Sequence, residues 1–205
     1  PLLNSMERLV AKNTTFFQCK LKTHIINFLI TGIGMVETTY YCTKYANFNY
    51  QLALNVGVCG SFNANLEIGS VVNIYEDCFA ELGAEDGQLF LTLEELQLKG
   101  TTSVVSTNDI INNAIINELP KVSGITVNTV HGNEASIKKT VEKFHPYVES
   151  MEGAAFMFVF KNENLPFLQI RAVSNYDARR PTNNWNMPLA IKNVNQKVLE
   201  IINSL

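Results

Sequence analysis

The sequence predicts an α/β fold, and three observations carry that expectation. Apolar runs with strand character alternate with amphipathic helical stretches along the 205 residues. No internal repeat or low-complexity linker interrupts them. Several apolar runs end in small or polar loops, and in open α/β sheets such strand ends are where ligands bind. A chain of this length buries a substantial core, so residues 1–205 are expected to form a single domain around a largely continuous central sheet.

Pro1 opens the helical pattern PLLNSMERLVAK, because proline favours the first turn of a helix. TTFFQCKL and THIINFLI are rich in β-branched and aromatic residues and read as strands, after which TGIG turns the chain into a helix from Met35 to Ala46. QLALNVGVCG is a strand running into a small-residue loop, GSVVNIYE is a further strand, and DCFAELGAEDGQ reads as irregular. Thr107 or Asn108 is positioned to cap a helix over DIINNAIINEL, which Pro120 stops. SGITVNTVHG reads as a strand and EASIKKTVEKF as a helix. The stretch from Glu152 to Asn162 is helical, LPFLQIRAVSN is a buried strand, and a last helix runs from Pro188 onward.

Composition excludes several classes of function. Sixteen Lys and Arg against 19 Asp and Glu give a net charge of -3, which is not the basic footprint of a nucleic-acid binder. Cys19, Cys42, Cys59 and Cys78 form no CxxC pair, and no His or Cys stands at metal-ligand spacing, so neither a disulfide framework nor a metal or cofactor is expected. A reducing, cytoplasmic setting fits. No apolar run reaches the roughly 18 residues of a membrane span, and the first residues do not form a signal peptide.

Four loops follow apolar strands, at residues 31–34, 57–62, 128–132 and from Ser174 onward, and with the helix start at Glu152 they are the candidates for chemistry. TGIG contains Gly32 and Gly34 but lacks the third glycine of a dinucleotide fingerprint and any Walker lysine. In NVGVCGSF, Cys59 and Gly60 permit a ligand to approach the backbone, or simply permit close packing. In SMEGAAF, Glu152 stands at a helix start behind Met151; it either complements the helix macrodipole or accepts hydrogen bonds from two vicinal hydroxyls, the handle that a ribose offers. RAVSN ends an apolar strand with Ser174 and Asn175, a turn or a polar contact for a ligand. His131 is a candidate ligand contact or a structural histidine, while His24 and His145 carry no motif.

TGIG, NVGVCGSF, SMEGAAF and RAVSN, in this order and spacing, resemble the purine nucleoside phosphorylase and nucleosidase superfamily, and the resemblance runs through nearly the whole chain. IYEDCFAELGAEDG, VNTVHGNEASI, VESMEGAAF and SNYDARRPTNNWNMPLAIKNVN are similar to the futalosine hydrolase group within it. The resemblance implies a three-layer α/β/α fold with a central mixed, twisted sheet, and cleavage of futalosine into hypoxanthine and a dehypoxanthinyl product on a menaquinone route. It also implies a homo-oligomer, with the loop around Phe79 a candidate interface, and a first strand lying before Pro1. The carboxylate that activates the attacking water in related nucleosidases belongs to that upstream position.

Two residue comparisons sharpen the expectation. Phosphorylases with the related RVGSCG pattern place phosphate-holding Arg and Ser where this chain has Asn55 and Val58, so water is the expected nucleophile. Adenine-releasing nucleosidases carry Asp at the position of Asn175. An Asn amide can donate to O6 and N7 of hypoxanthine without setting an anionic carboxylate opposite O6. Asn175 is therefore the expected catalytic donor. Met151, Glu152, Ser174, Cys59, Gly60 and His131 are the expected substrate contacts, and Arg179, Arg180 and Trp185 are candidates to meet a carboxylated tail. A phosphorylase, a methylthioadenosine or S-adenosylhomocysteine nucleosidase, and a non-catalytic purine-nucleoside binder are the competing readings. In each the partner is a small molecule, with neither nucleic acid nor membrane.

Overall fold

The computed structural model describes residues 7–11 as backbone and 16–45, 49–106, 111, 113–177 and 185–205 with side chains. The chain is a mixed α/β structure. Strands β1 (Glu7–Ala11), β2 (Phe16–Leu21) and β3 (His24–Leu29) form an antiparallel sheet, and α1 (Met35–Tyr45) follows the TGIG turn. Then come β4 (Ala53–Ser61), β5 (Val71–Phe79), the hairpin β6 (Gly83–Asp86) and β7 (Leu89–Thr92), and β8 (Ser103–Val105). The remainder is α2 (Ala114–Asn117), β9 (Lys121–Thr126), α3 (Glu134–Phe144), β10 (Val148–Ser150), α4 (Gly153–Asn162), β11 (Phe167–Tyr176) and α5 (Met187–Ser204).

The central sheet has the order β11-β4-β10-β9-β5-β8, and β5 also pairs with β11. Five strands therefore close into a ring. The pairs β11–β4, β10–β9 and β5–β9 are parallel, whereas β10–β4, β11–β5 and β5–β8 are antiparallel, so the sheet is mixed. Helices cover it on two sides. One face of β11 (Leu168, Ile170, Ala172) packs on Ala190, Val194, Val198 and Ile201 of α5, and a second apolar cluster joins Phe156, Met157 and Phe160 of α4 to Cys42 of α1 and to Phe167. Burying each of the larger aliphatic and aromatic side chains among these is worth roughly 1.5–3 kcal/mol. Asn186 caps α5 through Leu189 N–H, with Pro188 in the first turn.

Four expectations are corrected. The Pro1-led helix is contradicted within the described residues, because Glu7–Ala11 is a strand held by backbone pairing to β2; long-range pairing outweighs a weak local helical preference. The central sheet does not take in β1 to β3. Both edges of β4 are filled by β11 and β10, and ring closure leaves no place for β3 beside it.

The helix over DIINNAIINEL shrinks to Ala114–Asn117. Asn113, in an extended conformation, accepts from Ile115 N–H and Ile116 N–H and so starts the helix there; Thr107 and Asn108 lie outside the described residues. The stretch read as irregular contributes the end of β5 and one strand of a hairpin that turns at Gly87 in the left-handed region (φ +61°). Phe79 thus ends a strand, with its ring edge-on to Phe158 of α4.

Candidate active site

The ends of β4, β10 and β11 meet at one backbone position. Gly60 of β4 is in register with Asn175 of β11 on one side and with Glu149 of β10 on the other. Val173 pairs with Cys59 and Asn175 with Gly60, so Ser174 is an extra residue, a β-bulge, and bulges re-aim side chains where a strand leaves its sheet. The Ser174 hydroxyl stands 3.1 Å from the Cys59 carbonyl and 2.7 Å from Asn175 Oδ1, sharing one proton between two acceptors. Asn175 Nδ2 has long contacts of 3.4 Å to Tyr176 O and Asp177 Oδ1, so its donor side is weakly engaged. Cys59 offers a carbonyl rather than a reactive thiol, since burial pushes its pKa up to about 12.

A second arm reaches the same strands from α4. Glu152 occupies the N-cap position, yet its side chain caps nothing; the Ser150 hydroxyl accepts from Gly153 N–H instead. The Glu152 carboxylate turns outward to accept from Gly34 N–H of the TGIG loop (3.2 Å) and from Arg171 Nη1 (3.2 Å). Arg171 also donates through Nη1 to Val58 O (3.1 Å) and through Nη2 to Asn55 Oδ1 (3.3 Å). Asn55, by its side chain, and Val58, by its backbone carbonyl, therefore converge on one buried guanidinium. Met151 stands beside Glu152, partly buried.

A third arm is a buried acid cluster. His131 donates its backbone N–H to Glu149 Oε1 (2.9 Å), and its Nδ1 lies 2.6 Å from Glu149 Oε2. The Thr140 hydroxyl meets His131 Nε2 at 2.8 Å. The hydrogen bond to Glu149 raises the His131 pKa against the opposing effect of burial. Asp177 lies next to Glu149 with its carboxyl over Gly60, where any Cβ would overlap it. Burial, and then the neighbouring Glu149 charge, push the Asp177 pKa up to about 9.

Beneath these, Asp77 accepts from the Thr126 hydroxyl (2.8 Å) and Gln169 Nε2 (2.9 Å), and Thr126 Oγ1 accepts from Ala154 N–H, tying the first turn of α4 to the sheet. Burial raises the Asp77 pKa to about 6.

Cys59, Gly60, Ser174, Asn175 and, through Glu149, His131 are thus brought together, and Met151 and Glu152 join through Arg171. Trp185 is described and partly exposed, whereas Arg179 and Arg180 lie outside the described residues. Sequence reasoning missed Arg171, Glu149 and Asp177. Arg171 had a readable signal, a lone charge inside the apolar run LQIRAV. Glu149 and Asp177 had little, since their partners come from other strands.

The sequence model of the Phosphorylase superfamily matches residues 4–203. Among curated proteins, the chain is similar to futalosine hydrolase of Acidothermus cellulolyticus, at 26% identity over 183 residues, covering 83% of this chain and 72% of that protein. Among solved structures it is similar to the native futalosine hydrolase of Helicobacter pylori (TM-score 0.84, 17% identity, 100% of this chain and 92% of that one). It is also similar to a 5'-methylthioadenosine/S-adenosylhomocysteine nucleosidase of Colwellia psychrerythraea in complex with adenine (TM-score 0.80, 22% identity, 98% and 86%). At these identities the structural likeness establishes the fold.

Proposed function

The chain belongs to the Phosphorylase superfamily, and from that premise we propose that it is a nucleosidase: it hydrolyses the N-glycosidic bond of a purine nucleoside, with futalosine as substrate and hypoxanthine as the base released. The observation that carries this reading is the joining of Asn55, Val58 and Glu152 to Arg171. Both terminal nitrogens of Arg171 are committed to protein acceptors, and Asn55 and Val58 supply no cation. A phosphate dianion would find little to hold it here, and water takes its place as nucleophile.

Glycosidic cleavage builds positive charge on the sugar and negative charge on the departing base. Glu152 answers the first. Gly34 and Arg171 fix its two oxygens from the protein side, and the remaining lone pairs accept from the vicinal hydroxyls of a ribose. Met151 gives the sugar an apolar wall. Asn175 answers the second, its Nδ2 exchanging two long contacts for acceptors on the purine. Held by Ser174 at Oδ1, the amide is oriented before the base arrives, which is how fixed dipoles stabilise developing charge. In the same reading the protein works as a homo-oligomer in a reducing cytoplasm and serves a menaquinone route.

The test is chromatography of the bases freed from futalosine, inosine and methylthioadenosine, with and without phosphate. Hypoxanthine from futalosine without phosphate supports the reading. A requirement for phosphate makes the protein a phosphorylase, adenine from methylthioadenosine in preference reassigns the substrate, and tight binding without product makes it a binder.

A further inference from the structure

Asn175 can steady a departing purine but has no proton to give, so the leaving group lacks an acid. Asp177 stands two residues further on, hydrogen-bonded to Asn175 Nδ2 (3.4 Å) and lying over Gly60, at the point where β4, β10 and β11 come together. Its Oδ2 is buried and, among the described residues, has no hydrogen-bond partner. The neighbouring polar group is another carboxyl, that of Glu149. Two carboxyls so placed cannot both ionise cheaply, and the proton settles on the one with fewer donors. Glu149 receives two hydrogen bonds from His131, at 2.9 and 2.6 Å, whereas Asp177 receives one long contact from Asn175. Asp177 is therefore the carboxyl that holds its proton.

Resting on the nucleosidase reading, we propose that Asp177 is the general acid of the reaction: its carboxyl proton passes to the purine as the bond between C1′ and N9 breaks and the bonding electrons move onto the base. Asp177 is left as the carboxylate and the base departs neutral. Water adds to C1′ and releases a proton to solvent, and a proton from solvent restores Asp177, so protons balance over the cycle. Glu149, braced by His131, is the positioning residue that keeps Asp177 protonated near neutral pH, in accord with the Asp177 pKa of about 9. A neutral Asp177 is also compatible with a 6-oxopurine, because no anion opposes O6.

The groups that face Asp177 are Glu149 from β10, backed by His131, Asn175 from β11 and Cys59 from β4, whose thiol stays neutral. Above about pH 9 the acid is lost and turnover falls with it.

The experiment compares wild type, Asp177→Asn and Glu149→Gln on futalosine and on 4-nitrophenyl β-D-riboside, whose leaving group needs no proton. Asp177→Asn is expected to lower kcat on futalosine by roughly a hundredfold or more, within the range for general-acid catalysis, to keep most activity on the nitrophenyl riboside, and to lose the alkaline limb of the pH profile. Glu149→Gln is expected to move that limb to lower pH. Wild-type kcat on futalosine in a folded Asp177→Asn protein, or equal losses on both substrates, overturns the assignment of Asp177 and leaves the nucleosidase reading standing. No base from wild type with any purine nucleoside overturns both.

Discussion

Arg171 Nη1 lies 3.2 Å from Glu152 Oε2, tying the middle of β11 to the start of α4. Arg171 is buried and Glu152 is mostly so. Removing one partner of a buried pair strands the other, which costs about 3–5 kcal/mol when both are fully enclosed. Glu152 keeps some solvent, so Arg171→Met is expected to destabilise the protein by about 3 kcal/mol, the low end of that range, read from the midpoint of urea unfolding. Glu152→Gln keeps a hydrogen-bond acceptor but leaves the buried guanidinium without its counter-charge, so it too is expected to be destabilised, while raising KM for the nucleoside.

Asn175 tests the reading of the base. Asn175→Ala is expected to fold and to lose about a hundredfold or more in kcat, the usual cost of removing one oriented donor. Asn175→Asp restores an acceptor for an exocyclic amino group and is expected to shift kcat/KM from futalosine toward methylthioadenosine. Steady-state kinetics on both substrates check this, and an unchanged ratio in the Asp variant removes Asn175 from base selection.

Asp77 makes stability fall as pH rises. Its pKa is about 6 in the folded state against an ordinary 3.8, so the native state holds a proton that the unfolded chain has released between those values. The stability present below about pH 4 is reduced by roughly 3 kcal/mol once pH exceeds about 6. In Asp77→Asn no charge is buried. Gln169 Oε1, fully buried and unpartnered among the described residues, can accept the new amide if the Gln169 side chain flips. The variant is expected to be more stable than wild type near neutral pH and equal to it below about pH 4, as chemical unfolding across pH can show.

Gly153 is required by contact. A Cβ there would overlap Asp77 Oδ2 and Gln169 Nε2, both on fully buried residues. Gly153→Ala is expected to destabilise by about 1–3 kcal/mol, the usual cost of overpacking. The cost should also appear as lost turnover, since the same shift moves Glu152.

Much of the molecule was legible because its elements carry their own signals. Asn133 capping α3, Pro188 at the head of α5 and the apolar run of β11 are local features, and the helices and strands they mark are where the sequence places them. Two errors came where a distant partner decided. Glu7–Ala11 is a strand because of β2, and β3 lies outside the ring because β4 already has two neighbours. The site divides along the same line. Gly60, Glu152, Ser174 and Asn175 belong to short contiguous motifs and were readable. Glu149, Asp177 and Arg171 take their meaning from residues 18 to 116 positions away, or from a pairing across three strands.

Hydrolysis of a purine nucleoside can be read from one turnover experiment with futalosine in phosphate-free heavy-oxygen water, followed by mass spectrometry of both products. Free hypoxanthine and one heavy oxygen on the anomeric carbon of the sugar are expected. Release of base only when phosphate is added, with the sugar recovered as its 1-phosphate, would contradict it.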